Sequence, residues 1–277
     1  MLKLTIITPN YNYSRYIGQT IESVINQDYP NIEYIIVDDG STDNSVEIIQ
    51  SYVNRYPSKI TLITQSNKGQ TKAINKALSV ATGDILVWIN SDDYFCNNIF
   101  SKIIQEFNND VTLDAVFGDI KIVNEKGNIV KVNRYLNFDY PSGVFNGFGK
   151  IIPSNAIFWK KKLTDSIGFM NENFHYAMDS EYWSRLLFNR KIKHIPLVIA
   201  SFRWHENAKT ITRKNKASMA HKIATKEDKF VFENAYRKLI ISKYIPQKYS
   251  FFLKIYFKFK RILLRFLNGH YFYYEKN

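Results

Sequence analysis

The feature that most constrains this chain is a rhythm repeated four times before residue 95. Short β-branched, apolar runs (Leu4–Ile7, Ile32–Val37, Ile60–Ile63 and Ile85–Ile89) each pass into a polar loop. The loops read Thr8-Pro-Asn-Tyr11, Asp38-Asp39-Gly40, Asn67-Lys-Gly-Gln70 and Asn90-Ser-Asp-Asp93. Helical spacing follows, as in Ile17, Ile21, Val24 and Ile25, or Val46, Ile49 and Val53. Strands alternating with helices in this way predict a mainly parallel sheet with right-handed crossovers. The strand ends of such an open α/β sheet converge on one crevice.

Within this frame the first helix is expected over 14–27, and the second opens at the Ser41-Thr-Asp-Asn-Ser cluster, with Ser41 or Asp43 as cap. A third helix, 70–81, stops at Thr82-Gly83, where glycine is free to take the left-handed conformation. Beyond Asp93 the rhythm changes. A helix is expected over 98–107, a strand over 115–123 and a hairpin turn at Glu125-Lys-Gly-Asn128. Tyr135–Lys150 reads as an irregular, mobile loop near the site, followed by a strand over 154–159, a helix over 179–188 and a strand over 195–202.

From about Asn207 the composition shifts to Lys, Arg and aromatics, and seven basic residues and no acid lie between Lys243 and Arg265. Lys254, Lys258, Arg261 and Arg265 share one helical face, with Phe252, Ile255, Phe259, Ile262 and Phe266 mostly elsewhere around the helix. That pattern fits a basic amphipathic helix in a membrane interface, or else a helical cap packed on the catalytic domain. The net charge of +13 calls for an anionic partner. The single Cys96 excludes an intramolecular disulfide and a Cys-based zinc site. No run approaches the roughly 18–20 apolar residues of a membrane span, and the first strand begins too early for a signal peptide. A cytoplasmic protein, peripheral at the inner face of the membrane, is therefore expected.

The adjacent carboxylates Asp92 and Asp93 suit a divalent ion shared with phosphate oxygens, although a Ser/Asp cluster also caps helices. Asp39 is placed to accept from a base N–H, and Tyr11 offers an aromatic platform beside the stiff Pro9. The loop Asn67, Lys68 and Gly69 supplies a cation and N–H groups at a helix start, favourable for phosphate. No G-x-G-x-x-G follows the first strand and no G-x-x-x-x-G-K-[ST] occurs, which argues against dinucleotide binding and P-loop chemistry.

In this order, Thr8-Pro-Asn-Tyr-Asn, Val37-Asp-Asp-Gly-Ser-Thr-Asp43, Asn67-Lys-Gly, Gly83-Asp84 and Ser91-Asp92-Asp93 resemble family 2 glycosyltransferases of the GT-A fold. Gly168-Phe-Met-Asn-Glu172 and Ala177-Met-Asp-Ser-Glu-Tyr-Trp-Ser-Arg-Leu186 resemble that family's acceptor-side signature. Phe202-Arg-Trp-His205 followed by Thr210 resembles the segment closing the site. The resemblance implies inverting transfer from a nucleotide-activated sugar, UDP-sugar favoured, with Mn²⁺ or Mg²⁺, to a glycan or lipid-linked acceptor. It implies Thr8, Pro9, Asn10, Tyr11, Asn67, Lys68 and Gly69 around the nucleotide, Asp39 on the base, Asp92 on the ribose and Asp93 on the metal. His205 is a further metal or diphosphate contact. Asp179 matches the general base, where the residues alone favour a helix cap followed by a Glu181–Arg185 pair. Trp159, Met178, Glu181, Trp183 and Arg185 fall on the acceptor side, the tryptophans reading also as core.

Two departures stand out: Asn90 replaces the first carboxylate of Asp-x-Asp-Asp, and Met178 replaces the Glu of a Glu-Asp pair. The expected architecture is a GT-A domain over 1–210 (nucleotide-sugar half 1–95, acceptor half 96–210) with a basic helical extension over 211–277. The rival readings are a sugar-1-phosphate nucleotidyltransferase and a non-catalytic basic membrane- or nucleic-acid-binding protein; under the glycosyltransferase reading no nucleic acid is expected as partner.

Overall fold

The structure, a computed structural model, describes residues 1–206, 216, 218–243 and 250–268. Three βα units and a fourth strand open the chain: β1 (Leu4–Asn10), α1 (Ser14–Ile25), β2 (Ile32–Asp38), α2 (Ser45–Arg55), β3 (Ile60–Thr64), α3 (Gln70–Val80) and β4 (Ile85–Trp88). β2 and β4 both pair in parallel with β1, and β3 with β2, so the parallel part runs β3-β2-β1-β4. The chain therefore reverses its lateral direction between β1 and β4, which opens a crevice at their carboxyl ends.

Past the two-residue strand β5 (Tyr94–Phe95) come α4 (Phe100–Asn109), β6 (Ala115–Val123), β7 (Ile129–Asn133), α5 (Tyr140–Asn146), α6 (Phe148–Ile151), β8 (Ile157–Lys160), α7 (Lys161–Ile167), α8 (Met178–Leu186) and β9 (Ile192–Arg203). β8 joins antiparallel to β4 and carries the sheet on through β6, β9 and β5, with β7 paired to β6 as the expected hairpin. Two further helices, α9 (Met219–Lys243) and α10 (Ser250–Leu267), follow; the expected domain boundary near Thr210 lies outside the described residues.

Strand alternation divides the core between the two faces of the sheet. Leu4, Ile6, Tyr34, Ile36, Ile85 and Val87 face α1, α2 and α4, while Ile7, Ile35, Val37, Leu86 and Trp88 face α3, α5–α8 and the C-terminal helices. Val231, Ala235, Leu239 and Phe257 of α9 and α10 are buried in this second cluster, so the extension packs into the same core as the sheet.

Two local expectations are corrected. Gly83 is not left-handed; α3 ends at Ala81 in extended conformation. Glycine is needed at 83 because a Cβ there would lie 2.5 Å from Thr5 Oγ1 and 2.8 Å from Thr5 N. The stretch 135–150 is not an irregular loop. Asp139 Oδ1 accepts from Ser142 N at 2.9 Å and caps α5, Gly147 at φ 81° separates α5 from α6, and Phe145 stacks on Phe257 at 5.1 Å. The apolar face of so short a helix is buried because the distant α9 and α10 cover it, with Phe145 against Phe232, Tyr236 and Phe257.

Candidate active site

The carboxyl ends of β1, β2 and β4 open into a cavity of about 1740 Å³, closed on the far side by α5, α6, the start of α8, and α9. A pocket of about 300–1,000 Å³ holds one small ligand, so this space is larger than a single small ligand needs. Pro9, Asn10, Tyr11, Asp39, Asn67, Gly69, Asp92, Asp93, Met178, Asp179 and His205 all line it.

The donor-side wall is built from hydrogen bonds between strand ends. Asp39, 3% exposed, accepts from Lys68 N at 2.9 Å, Gly69 N at 2.7 Å and Gln65 Nε2 at 2.7 Å. It thereby holds the loop at the start of α3. Lys68 contributes this backbone group, while its side chain is exposed and does not line the cavity. Thr8 is fully buried behind the wall, within 3.0 Å of the Tyr34 hydroxyl. Asn10 donates to Asp38 Oδ2 at 2.7 Å, and its buried Oδ1 has no hydrogen-bond partner among the described residues. That oxygen is an acceptor waiting for a donor. Neither Ser41 nor Asp43 is the N-cap of α2, which is Asn44; Asp43 accepts from Ser45 N and Ser14 N at 3.0 and 2.9 Å, and Ser41 Oγ donates to Asp38 Oδ2 at 2.6 Å.

Asp92 and Asp93 sit between β4 and β5, held from both sides. Thr20 Oγ1 donates to Ser91 O and Asp93 O at 2.8 and 2.7 Å, and Ser91 Oγ to Pro9 O at 2.7 Å. Asp93 Oδ1 accepts from Arg203 N at 2.9 Å, and Oδ2 from Asn155 Nδ2 at 3.1 Å and Asn90 Nδ2 at 3.4 Å. Burial raises the Asp93 pKa well above the ordinary carboxylate range and the Asp92 charge adds to this, with the hydrogen bonds from Arg203, Asn155 and Asn90 opposing. Asp92 Oδ2 lies 2.9 Å from His205 Nε2. Burial together with the two aspartates pushes the Tyr13 phenol up, keeping it a donor.

Among the described residues no cluster of three or more His, Cys, Asp or Glu is able to hold a metal by itself. The donor set nevertheless fits an ion shared with a ligand's phosphates. Two adjacent carboxylates face one cavity, and the upward shift at Asp93 marks negative charge that a divalent cation would relieve. Asn90, standing where a carboxylate is usual in the motif, donates to Asp93 and accepts from Gln70 Nε2 at 2.9 Å; an aspartate is unable to donate there.

In the same cavity, Asp179 Oδ2 accepts from Ser154 Oγ at 2.7 Å and Oδ1 from Ser180 N at 2.6 Å. Met178, in the place of the familiar Glu, sets its sulfur 2.9 Å from Thr71 Oγ1, joining α8 to the first turn of α3. The remaining acceptor-side candidates do not line the cavity. Trp159 and Trp183 are fully buried against Trp88, with Trp183 stacked on it at 4.9 Å. Glu181 and Arg185 form the i,i+4 pair at 2.6 Å, and Arg185 also reaches the carbonyls of Ile167 and Phe169. These four side chains brace α8. Sequence reasoning missed Ser154, Asn155 and Glu227. Glu227, on α9, accepts from the N–H groups of His175, Tyr176 and Ala177.

The parallel β3-β2-β1-β4 order with a carboxylate-lined edge and a mixed-sheet second half defines a GT-A-type fold. The profile of Glycosyl transferase family 2 matches residues 5–167, and the chain belongs to that family. In sequence it is 30% identical over 192 residues to the chondroitin synthase of Escherichia coli, covering 69% of this chain and 27% of that protein. The chain spans less than half the length of the relatives it matches in this way. In structure it is similar to Staphylococcus aureus TarS, crystallised with UDP-GlcNAc (TM-score 0.63, 20% identity, 90% of this chain and 78% of that one). It is also similar to a mannosyltransferase of Pyrobaculum calidifontis in complex with GDP-Man and Mn²⁺ (TM-score 0.58, 17% identity, 89% and 76%).

Proposed function

We propose that this cavity transfers a sugar, with inversion, from a nucleoside-diphosphate sugar to a hydroxyl of a glycan or lipid-linked acceptor. The observation that carries the reading is that Asn10, Asp39, Asp92 and Asp93 share one cavity with Asp179, and that the adjacent Ser154 and Asn155 bond Asp179 and Asp93 respectively. Tyr11 offers a ring face to base or ribose, and Asn10 Oδ1 is an acceptor for a base N–H. Asp39 orders the loop that opens α3 by taking its Lys68 and Gly69 N–H groups. Asp92 serves the ribose, and Asp93 is the carboxylate for Mn²⁺ or Mg²⁺, with His205 steadying Asp92. The ion, when bound, supplies charge stabilisation to the departing diphosphate.

Asp179 then takes the proton of the acceptor hydroxyl. That oxygen bonds to the anomeric carbon as the bond to the diphosphate breaks on the other face, which inverts the centre. Ser154 orients the carboxylate for the transfer. A UDP-sugar is the favoured donor, consistent with the UDP-GlcNAc complex of the TarS neighbour.

The extension supports a membrane-proximal acceptor. Helix α10 buries Phe257 against α5, leaves Lys254 and Lys258 exposed on one side, and exposes Phe252, Ile255, Phe259, Ile262 and Phe266 on another. No helix among the described residues is long and apolar enough to cross a membrane. We therefore place the enzyme on an anionic bilayer surface, at the inner face of the cell membrane.

Calorimetry with UDP-GlcNAc and GDP-mannose, with and without Mn²⁺, tests the donor site. Heat of binding with one of them, strengthened by Mn²⁺, is expected; no binding by any nucleotide sugar contradicts the reading.

A further inference from the structure

The segment that enters α8 has no cap of its own. Its N-cap residue is Ala177, which has no side-chain oxygen to receive the N–H groups left open at a helix start. A carboxylate on α9, some fifty residues further along the chain, instead anchors the backbone that leads into the helix, taking the N–H of the N-cap residue and of the two residues before it. Glu227 Oε1 accepts from His175 N at 2.9 Å, and Oε2 accepts from Tyr176 N at 2.8 Å and Ala177 N at 2.7 Å. Three consecutive backbone donors thus converge on one carboxylate, two residues before Asp179. Charge-assisted bonds of this kind are short and about twice as strong as neutral ones, and a negative group beside a helix N-terminus is further favoured by the helix dipole.

Asp179 is fixed on its other sides by bonds of its own: Ser154 Oγ to Oδ2 at 2.7 Å, and Ser180 N to Oδ1 at 2.6 Å. Those contacts orient the side chain, whereas Glu227 sets the position of the backbone that carries it. Helix α9 lies beyond the residues matched by the family profile, which end at 167. It nonetheless lines the same cavity through Ala224, Thr225 and Asp228.

We infer that Glu227 is a positioning residue for Asp179, anchoring from elsewhere in the same chain the backbone that enters α8, so that the C-terminal extension is part of the catalytic apparatus. The inference rests on the proposed role of Asp179 as base. A shift of about 1 Å at a reacting group is enough to cost about 100-fold in rate.

In the full-length chain, Glu227→Ala is expected to lower kcat about 10- to 100-fold, with donor affinity and the KM for donor unchanged. Glu227→Gln keeps one oxygen for Tyr176 and Ala177 but turns an amide toward His175 N–H, so it should recover part of kcat. Glu233→Ala, an exposed substitution on the same helix, should leave kcat as in the wild type. Hydrogen exchange read independently of activity should rise at the amides of 175–180 in Glu227→Ala while those of β1 and β4 stay protected. Wild-type kcat in both Glu227 variants overturns the inference, as does unchanged exchange at 175–180, or a loss of donor binding in parallel with kcat. A wild-type chain that transfers no sugar contradicts the proposed function itself, and the exchange measurement then decides the anchoring alone.

Discussion

At Asp39 one buried carboxylate receives a side-chain amide and two backbone N–H groups, and through them shapes the loop that opens α3. Bonds to a charged acceptor contribute roughly 1.5–3 kcal/mol each, and stranded buried donors cost as much again. Asp39→Ala should therefore weaken donor binding at least about 10-fold, or about 1.4 kcal/mol, as read by calorimetry, and lower Tm; unaltered donor affinity would show that the loop keeps its shape unaided. Residues of this kind were legible in sequence because each stands where an apolar strand run breaks into Asn or Asp. Ser154 and Asn155 were not, since the groups they serve, Asp179 and Asp93, lie 25 and 62 residues away. Thr8, Trp159 and Trp183 show the converse: their place in a motif says nothing about which side of the cavity wall the side chain takes.

The first four strands and their helices follow from local pattern, and their pairing is tied together by Glu33 on β2. Glu33 accepts from Lys3 Nζ at 2.8 Å, Thr5 Oγ1 at 2.6 Å and Thr82 N at 2.8 Å, linking β2 to β1 and to the approach to β4. Partial burial opposes ionisation, but the hydrogen bonds from Lys3, Thr5 and Thr82 outweigh it and hold the pKa to about 2, against an ordinary value of 4.5. A lowered folded-state pKa contributes stability above the unfolded value that is lost as pH falls through the folded one. Unfolding midpoints should thus decline between about pH 4.5 and pH 2 in the wild type, and Glu33→Gln should flatten that decline. An identical acid profile in the variant would contradict this account. Helices α5 and α6 were illegible for a different reason: Val144, Phe145 and Phe148 look like an irregular aromatic stretch until Phe257 and α9 are packed over them.

Over the whole molecule, the second core cluster unites the sheet, α8 and the C-terminal helices, so the basic extension is docked on one side and open on the other. The sequence pattern left membrane contact and packing on the catalytic domain as alternatives, and the two faces of α10 are suited to one each. Anionic vesicles should sediment the protein, less so as salt is raised, because screening weakens the lysine and arginine contribution of about 1 kcal/mol each. Phe252→Asp with Phe259→Asp should release it even at low salt. Equal sedimentation with neutral vesicles, or retention by the double variant, would rule out this mode of attachment.

The central claim is that one cavity holds an activated sugar at its strand ends while Asp179, lining the same cavity, removes the acceptor proton. The most direct measurement is donor affinity and transfer rate side by side in Asp179→Asn. Loss of a general base typically costs 10²–10⁴ in rate, so transfer should fall by about that factor while donor affinity stays within about twofold of the wild type. Transfer at the wild-type rate in this variant would contradict the account.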